Sequence, residues 1–110
     1  MRRSARVDAN QKEIVADLRE IGATVLHLHG VGKGCPDILV GYRGVNVLME
    51  IKDGKKMPSQ RKTTHPQDGF FATWRGAAII VRSSDEAIEA LTAATNWPAR
   101  NQVQLEGVIA

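Results

Sequence analysis

Three charged side chains stand at one end of two apolar runs. Asp37 opens the run DILVGY, and Glu50 and Lys52 close the run VNVLMEIK. If the chain turns at Arg43-Gly44 so that Tyr42 faces Val45, counting outward sets Val40 against Val47, Ile38 against Met49 and Asp37 against Glu50. Side chains alternate faces along a strand. Asp37, Glu50 and Lys52 then share one face at one end of the hairpin. Ile38, Val40, Tyr42, Val45, Val47, Met49 and Ile51 form the other face, apolar apart from the tyrosine hydroxyl. Directly opposed Cβ atoms lie roughly 4.5–5.5 Å apart. Two carboxylates that close repel, and one is driven to a higher pKa unless a cation intervenes. Mg²⁺ suits such a pair, because it takes one or two carboxylates and completes an all-oxygen octahedral shell with water and phosphate. A three-residue loop at Tyr42-Arg43-Gly44, with Gly44 left-handed, is an alternative turn. It would set Asp37 against Met49 and send Glu50 to the opposite face.

The elements that must hold these residues are legible from periodicity and punctuation. Residues 10–21 read as a helix with Ile14, Val15, Leu18 and Ile21 on one stripe. Asp8 with Gln11, or Asn10 with Glu13, forms a candidate capping box at its start, and Gly22 ends it. Strands are expected over 24–28, 37–42, 45–52 and 77–81. The polar segment 53–64, with Pro58, reads as an exposed loop. Thr64 and Gln67 can cap a helix that has Pro66 in its first turn and runs to about Trp74 or Arg75. Ser83 with Glu86 caps a last helix to about Ala94. The order α-β-β-β-α-β-α predicts an α/β fold with a mixed sheet flanked by helices. The 110 residues suit one domain: a basic, flexible arm over 1–7, a core over 8–94 and a tail over 95–110.

Composition narrows the partners. The formal net charge is +3, a lean towards anionic ligands. Arg2, Arg3 and Arg6 cluster at the start, and Lys52, Lys55, Lys56, Arg61 and Lys62 cluster after the hairpin, two basic segments that suit a phosphate backbone. The single cysteine, Cys35, rules out an internal disulfide. No apolar run approaches the ~20 residues that span a bilayer, and no apolar stretch follows the MRRSAR start as in a signal peptide, so a cytoplasmic location without membrane association is expected. The GVGKG loop at 30–34 lacks the glycine spacing of a Walker loop and leads into a strand; Lys33 there is a candidate backbone contact. His27, His29 and Cys35 have irregular spacing for zinc. Trp74 and Trp97 read as core or interface residues rather than base-stacking platforms.

Gly34-Cys35-Pro36-Asp37, then twelve residues, then Glu50-Ile51-Lys52 resembles the Pro-Asp…(Asp/Glu)-x-Lys signature of the PD-(D/E)XK nuclease superfamily. The GCPDILVG block and the helix carrying Gln67-x-x-Phe70 are similar to its stand-alone VRR-NUC group, often encoded by phages. The resemblance covers roughly residues 8–92. It implies a restriction-endonuclease-like fold and a Mg²⁺-dependent endonuclease, with Mn²⁺ able to substitute and no small-molecule cofactor. The implied substrate is DNA, including branched DNA such as four-way junctions, cut by a homodimer in a bacterial or phage-infected host cell. By the same resemblance Asp37, Glu50 and the Ile51 carbonyl would bind metal, and Lys52 would assist the attacking water or the phosphate. Glu13 is the chosen helix acid, with Asp8 and Asp17 as rivals, and Gln67 a candidate contact. Lys33, Lys55, Lys56, Arg61 and Lys62 would meet the DNA backbone. The alternatives are a nucleic-acid-binding module that does not cleave and a nuclease subunit active only in a larger phage complex.

Overall fold

A computed structural model describes residues 9–53 and 65–96. The elements run α1 (Ala9–Glu20), β1 (Thr24–His27), β2 (Ile38–Tyr42), β3 (Val45–Ile51), α2 (His65–Thr73), β4 (Ala78–Val81) and α3 (Ser84–Thr95). This is the expected order. The four strands form one mixed sheet in the order β1-β2-β3-β4; the first three are antiparallel neighbours, and β4 runs parallel to β3. Among the described residues the result is an α/β domain with a four-stranded mixed sheet and three helices. Among the described residues no helix is long and apolar enough to cross a membrane.

The hairpin register follows from its turn. Tyr42 pairs with Val45, Val40 with Val47 and Ile38 with Met49. Arg43 and Gly44 both have positive φ, 50° and 84°, the conformation of a two-residue type I′ turn whose twist matches the strands it joins. The three-residue alternative is therefore not adopted. Ile38, Val40, Val47, Met49 and Ile51 all point into one core with Ile14, Val15 and Leu18 of α1 and Ala87 and Leu91 of α3. Tyr42 is half-buried at the rim of that core. A slip of one residue would turn a whole strand's apolar set away from the helices.

Alternation sends Leu39 and Leu48 to the opposite face, where they line a cavity with Phe70 and Trp74. α2 thus lies against part of the face that α1 and α3 leave open, on which Leu26 and Ile80 remain exposed. Several local expectations are corrected. Ile21 lies beyond the end of α1 and is 37% exposed, because the backbone closes at Gly22 and Ala23 through bonds to Arg19 and Leu18, turning the chain before another helical step. Asn10 is inside the helix and not its cap, and its amide reaches across to two backbone carbonyls. Ser83 does cap α3, accepting from Glu86 N at 3.1 Å. The Glu86 carboxylate answers to Arg82 N at 2.7 Å and to the Arg82 guanidinium at 2.9 Å. α3 itself extends through Thr95.

Candidate metal and active site

β2 and β3 bring the two acids together by register alone. Ile38 pairs with Met49, so the next step outward sets Asp37 against Glu50. The Asp37 carbonyl accepts from Leu28 N at 2.9 Å, which holds the backbone just ahead of β2 to the end of β1. The Asp37 carboxylate accepts from Ile51 N at 2.7 Å. The N–H and C=O of a strand residue project from the same strand edge, so the Ile51 carbonyl opens towards Asp37 too.

Glu50 is buried, 4% exposed. Its Oε2 accepts from Gln67 Nε2 at 2.7 Å and lies 3.4 Å from Lys52 Nζ. Lys52 Nζ in turn donates to Gln67 Oε1 at 3.1 Å. The three side chains close a ring between β3 and α2. The second oxygen, Glu50 Oε1, is buried without a hydrogen-bond partner among the described residues. Burying an unpaired carboxylate oxygen is costly. Glu50 responds: burial first, and the nearby Asp37 charge second, push its pKa up to about 7 against the pull of Lys52. Burial above all, and then the same two acids, raise the Cys35 thiol.

Among the described residues no group of three or more His, Cys, Asp or Glu side chains is placed to hold a metal. A two-carboxylate site remains, and it fits a hard divalent cation. It offers oxygen donors only, one of them orphaned, a backbone carbonyl on the same edge, and a repulsion that a cation would relieve.

The helix packing against the sheet holds this ring in place. Asn10 Nδ2 donates to Lys52 O at 2.9 Å and to Arg82 O at 3.2 Å, tying α1 to the ends of β3 and β4. Gly34 lets α2 approach: φ is +78°, and a Cβ there would collide with the Pro66 carbonyl and sit 2.9 Å from Gln67 N. Neither residue announced this role. A glycine in GVGKG reads as loop, and an asparagine before a helix reads as a cap; the partners lie far away in sequence.

The other expected site residues are dispersed. Glu13 is exposed and lines a cleft of about 560 Å³ with Asp17, Asp53 and Arg82. Asp17 accepts from Ser84 Oγ, which makes it a tie between α1 and α3. The buried polar residue of α1 facing the sheet is Gln11, which donates to His27 Nδ1 at 3.2 Å. Lys33 has φ 56° in the loop before Asp37 and lines the apolar cavity beside the acids. Asp8, Lys55, Lys56, Arg61, Lys62, Thr64 and Trp97 lie outside the described residues. Trp74 is not core: it is 49% exposed.

No protein-family model, curated protein or solved structure shows significant similarity to this chain.

Proposed function

We propose that this chain is a metal-dependent endonuclease with a restriction-endonuclease-like fold, hydrolysing phosphodiester bonds in DNA. The observation that carries the reading is the opposed pair Asp37 and Glu50 with Lys52 at 3.4 Å from the same carboxylate and one carboxylate oxygen buried and unpartnered. A structural ion pair has no use for that second acid. Asp37, Glu50 and the Ile51 carbonyl would hold Mg²⁺ or Mn²⁺. A divalent cation, when bound, polarises the scissile phosphate and lowers the pKa of an attacking water. Lys52, a compact ammonium held by Gln67, sits where it can offset charge building on the phosphate. Gln67 orients both Lys52 and Glu50. The GCPDILVG block and its resemblance to VRR-NUC nucleases extend the reading to branched DNA and to a homodimer with one site per strand.

A second reading is a nucleic-acid-binding module that does not cut. It is favoured by the mutual satisfaction of Glu50 Oε2, Lys52 and Gln67, which would brace α2 on the sheet without any chemistry. The test is direct. The pure protein is incubated with labelled linear, nicked, flap and four-way DNA, with Mg²⁺, Mn²⁺ or chelator. Cleavage that needs the metal and is lost in Asp37→Ala is expected; binding to every substrate with cleavage of none selects the second reading.

A further inference from the structure

The face that carries the acids is not polar throughout. Two residues along each strand from Asp37 and Glu50, on the same face, stand Leu39 and Leu48. They line a cavity of about 430 Å³ together with Val31, Phe70 and Trp74, and Lys33 and Cys35, from the loop that leads to Asp37, also contribute to its lining. That volume is within the ~300–1,000 Å³ of small-ligand sites. Phe70 stacks on Trp74, ring centroids 5.1 Å apart and 14° from parallel, yet Trp74 remains 49% and Val31 61% exposed. A partly exposed aromatic pair, a slot without carboxylates and one exposed lysine in its lining form an unusual neighbour for a buried glutamate and a half-buried aspartate.

We propose that this groove takes one unpaired nucleobase, flanking the phosphate that a divalent cation at Asp37 and Glu50 would bind. The inference rests on the nuclease reading for the position of that phosphate. A base offers the flat, apolar faces that the Phe70–Trp74 stack can extend, and aromatic platforms bind successive bases with little sequence preference. The backbone attached to it is anionic, and Lys33 is exposed in the lining of the groove. Two strand residues span about 7 Å, so the groove begins beside the acids and a base held there belongs to a nucleotide next to the cut. A paired base cannot enter, because its faces are covered by neighbours in the stack. The groove therefore selects a strand that is single or splayed at the site of cleavage, which makes distortion of the duplex a condition of productive binding.

The chain has two tryptophans, so Trp97→Phe leaves Trp74 as the sole indole reporter. This protein is titrated in Ca²⁺ with short oligothymidylate, with the same oligomer carrying abasic residues, and with a fully paired duplex; cleavage is followed in parallel in Mg²⁺. Quenching of Trp74 by oligothymidylate and not by the abasic strand is expected. Trp74→Ala should weaken oligothymidylate binding roughly ten-fold, the effect of losing one base-stacking contact. Trp74→Phe, which keeps an aromatic face, should stay near the parent and guards against a folding defect in the alanine variant. Cleavage or tight binding with no Trp74 response, or equal response to the abasic strand, overturns the groove assignment and leaves the nuclease reading standing. Quenching without cleavage supports the groove and removes the nuclease. A Trp74 signal that changes with protein concentration alone means that a second copy covers the groove, and it overturns the inference.

Discussion

Gln67 donates its amide to Glu50 Oε2 at 2.7 Å and accepts Lys52 Nζ on its carbonyl at 3.1 Å. One amide from α2 thus addresses both charges of β3 in the only orientation that satisfies both. Gln67→Ala should free Lys52, leave another carboxylate oxygen without its donor and cost about 1–2 kcal/mol of stability. Gln67→Glu is nearly isosteric and adds a third acid; it should raise Glu50 further and lower cleavage more than alanine does. Chemical denaturation and single-turnover cleavage measure the two effects. Equal activity in all three proteins would remove Gln67 from the site.

The raised pKa of Glu50 makes a signed prediction. An ordinary glutamate, as in the unfolded chain, titrates near 4.5, whereas Glu50 in the fold titrates at about 7. Between those values the folded state holds the extra proton, so this group's contribution falls as pH rises from 4.5 through 7 and is level above. The full loss is up to about 3 kcal/mol. The difference in unfolding free energy between the parent and Glu50→Gln, measured in chelator across this range, should shift in favour of the variant with rising pH. Mg²⁺ should stabilise the parent more at pH 8 than at pH 5, since it favours the ionised carboxylate. A pH-independent difference would contradict the burial of Glu50 as its cause.

Asp37→Ala should abolish metal-dependent cleavage. Its effect on stability is mixed, because it relieves the charge facing Glu50 and leaves Ile51 N without the acceptor now 2.7 Å away. The net change is expected within about 1–2 kcal/mol, and the Glu50 pKa should drop, which carboxyl NMR reads directly. Full activity in this variant would refute the site.

Lys52 separates chemistry from anchoring. If it acts where charge builds in the transition state, Lys52→Ala lowers turnover while affinity for four-way DNA in Ca²⁺ stays nearly constant. Lys52→Arg should not restore it, because a guanidinium fork does not fit the place of an ammonium clasped by one amide. Equal loss of binding and turnover would make Lys52 a phosphate anchor.

Gly34→Ala tests the seating of α2 from a distance. The left-handed backbone and the collision with Pro66 both oppose a Cβ, so a loss of at least about 2 kcal/mol is expected. Cleavage should fall beyond what the unfolded fraction explains, because Gln67 is displaced with the helix.

The element order was readable because it rests on local rules, whereas the sequence allowed both a two-residue and a three-residue turn, and only the observed pairing of Tyr42 with Val45 sets Asp37 against Glu50. A slip by one residue would replace Ile38, Val40 and Tyr42 on the core face with Asp37, Leu39 and Gly41. What escaped a linear reading were the partners. Asn10 shows capping chemistry in sequence, yet it spends its amide on carbonyls at positions 52 and 82. Glu13 and Asp17 look equivalent to any other helix acid until the rotation of α1 is known; that rotation, set by Ile14, Val15 and Leu18, turns Gln11 inward and both acids away. Trp74 reads as core or interface because it is large and apolar, and only the seating of α2 leaves it 49% exposed.

The single parallel pairing in the sheet also orders events in time. β1, β2 and β3 are sequence neighbours and can zip by short closures, whereas β4 reaches β3 only after the segment containing α2 has been folded back, a longer and slower closure. Substitutions that loosen α2 should therefore act mainly on the unfolding rate, and those in the hairpin on the folding rate. Any opening that releases β4 bares one edge of β3, VNVLMEI, an apolar strand with one charge whose ladder groups on the β4 side then lose their partners. Such an edge recruits other chains, so the seating of one helix guards the protein against aggregation as well as completing its ring of polar contacts.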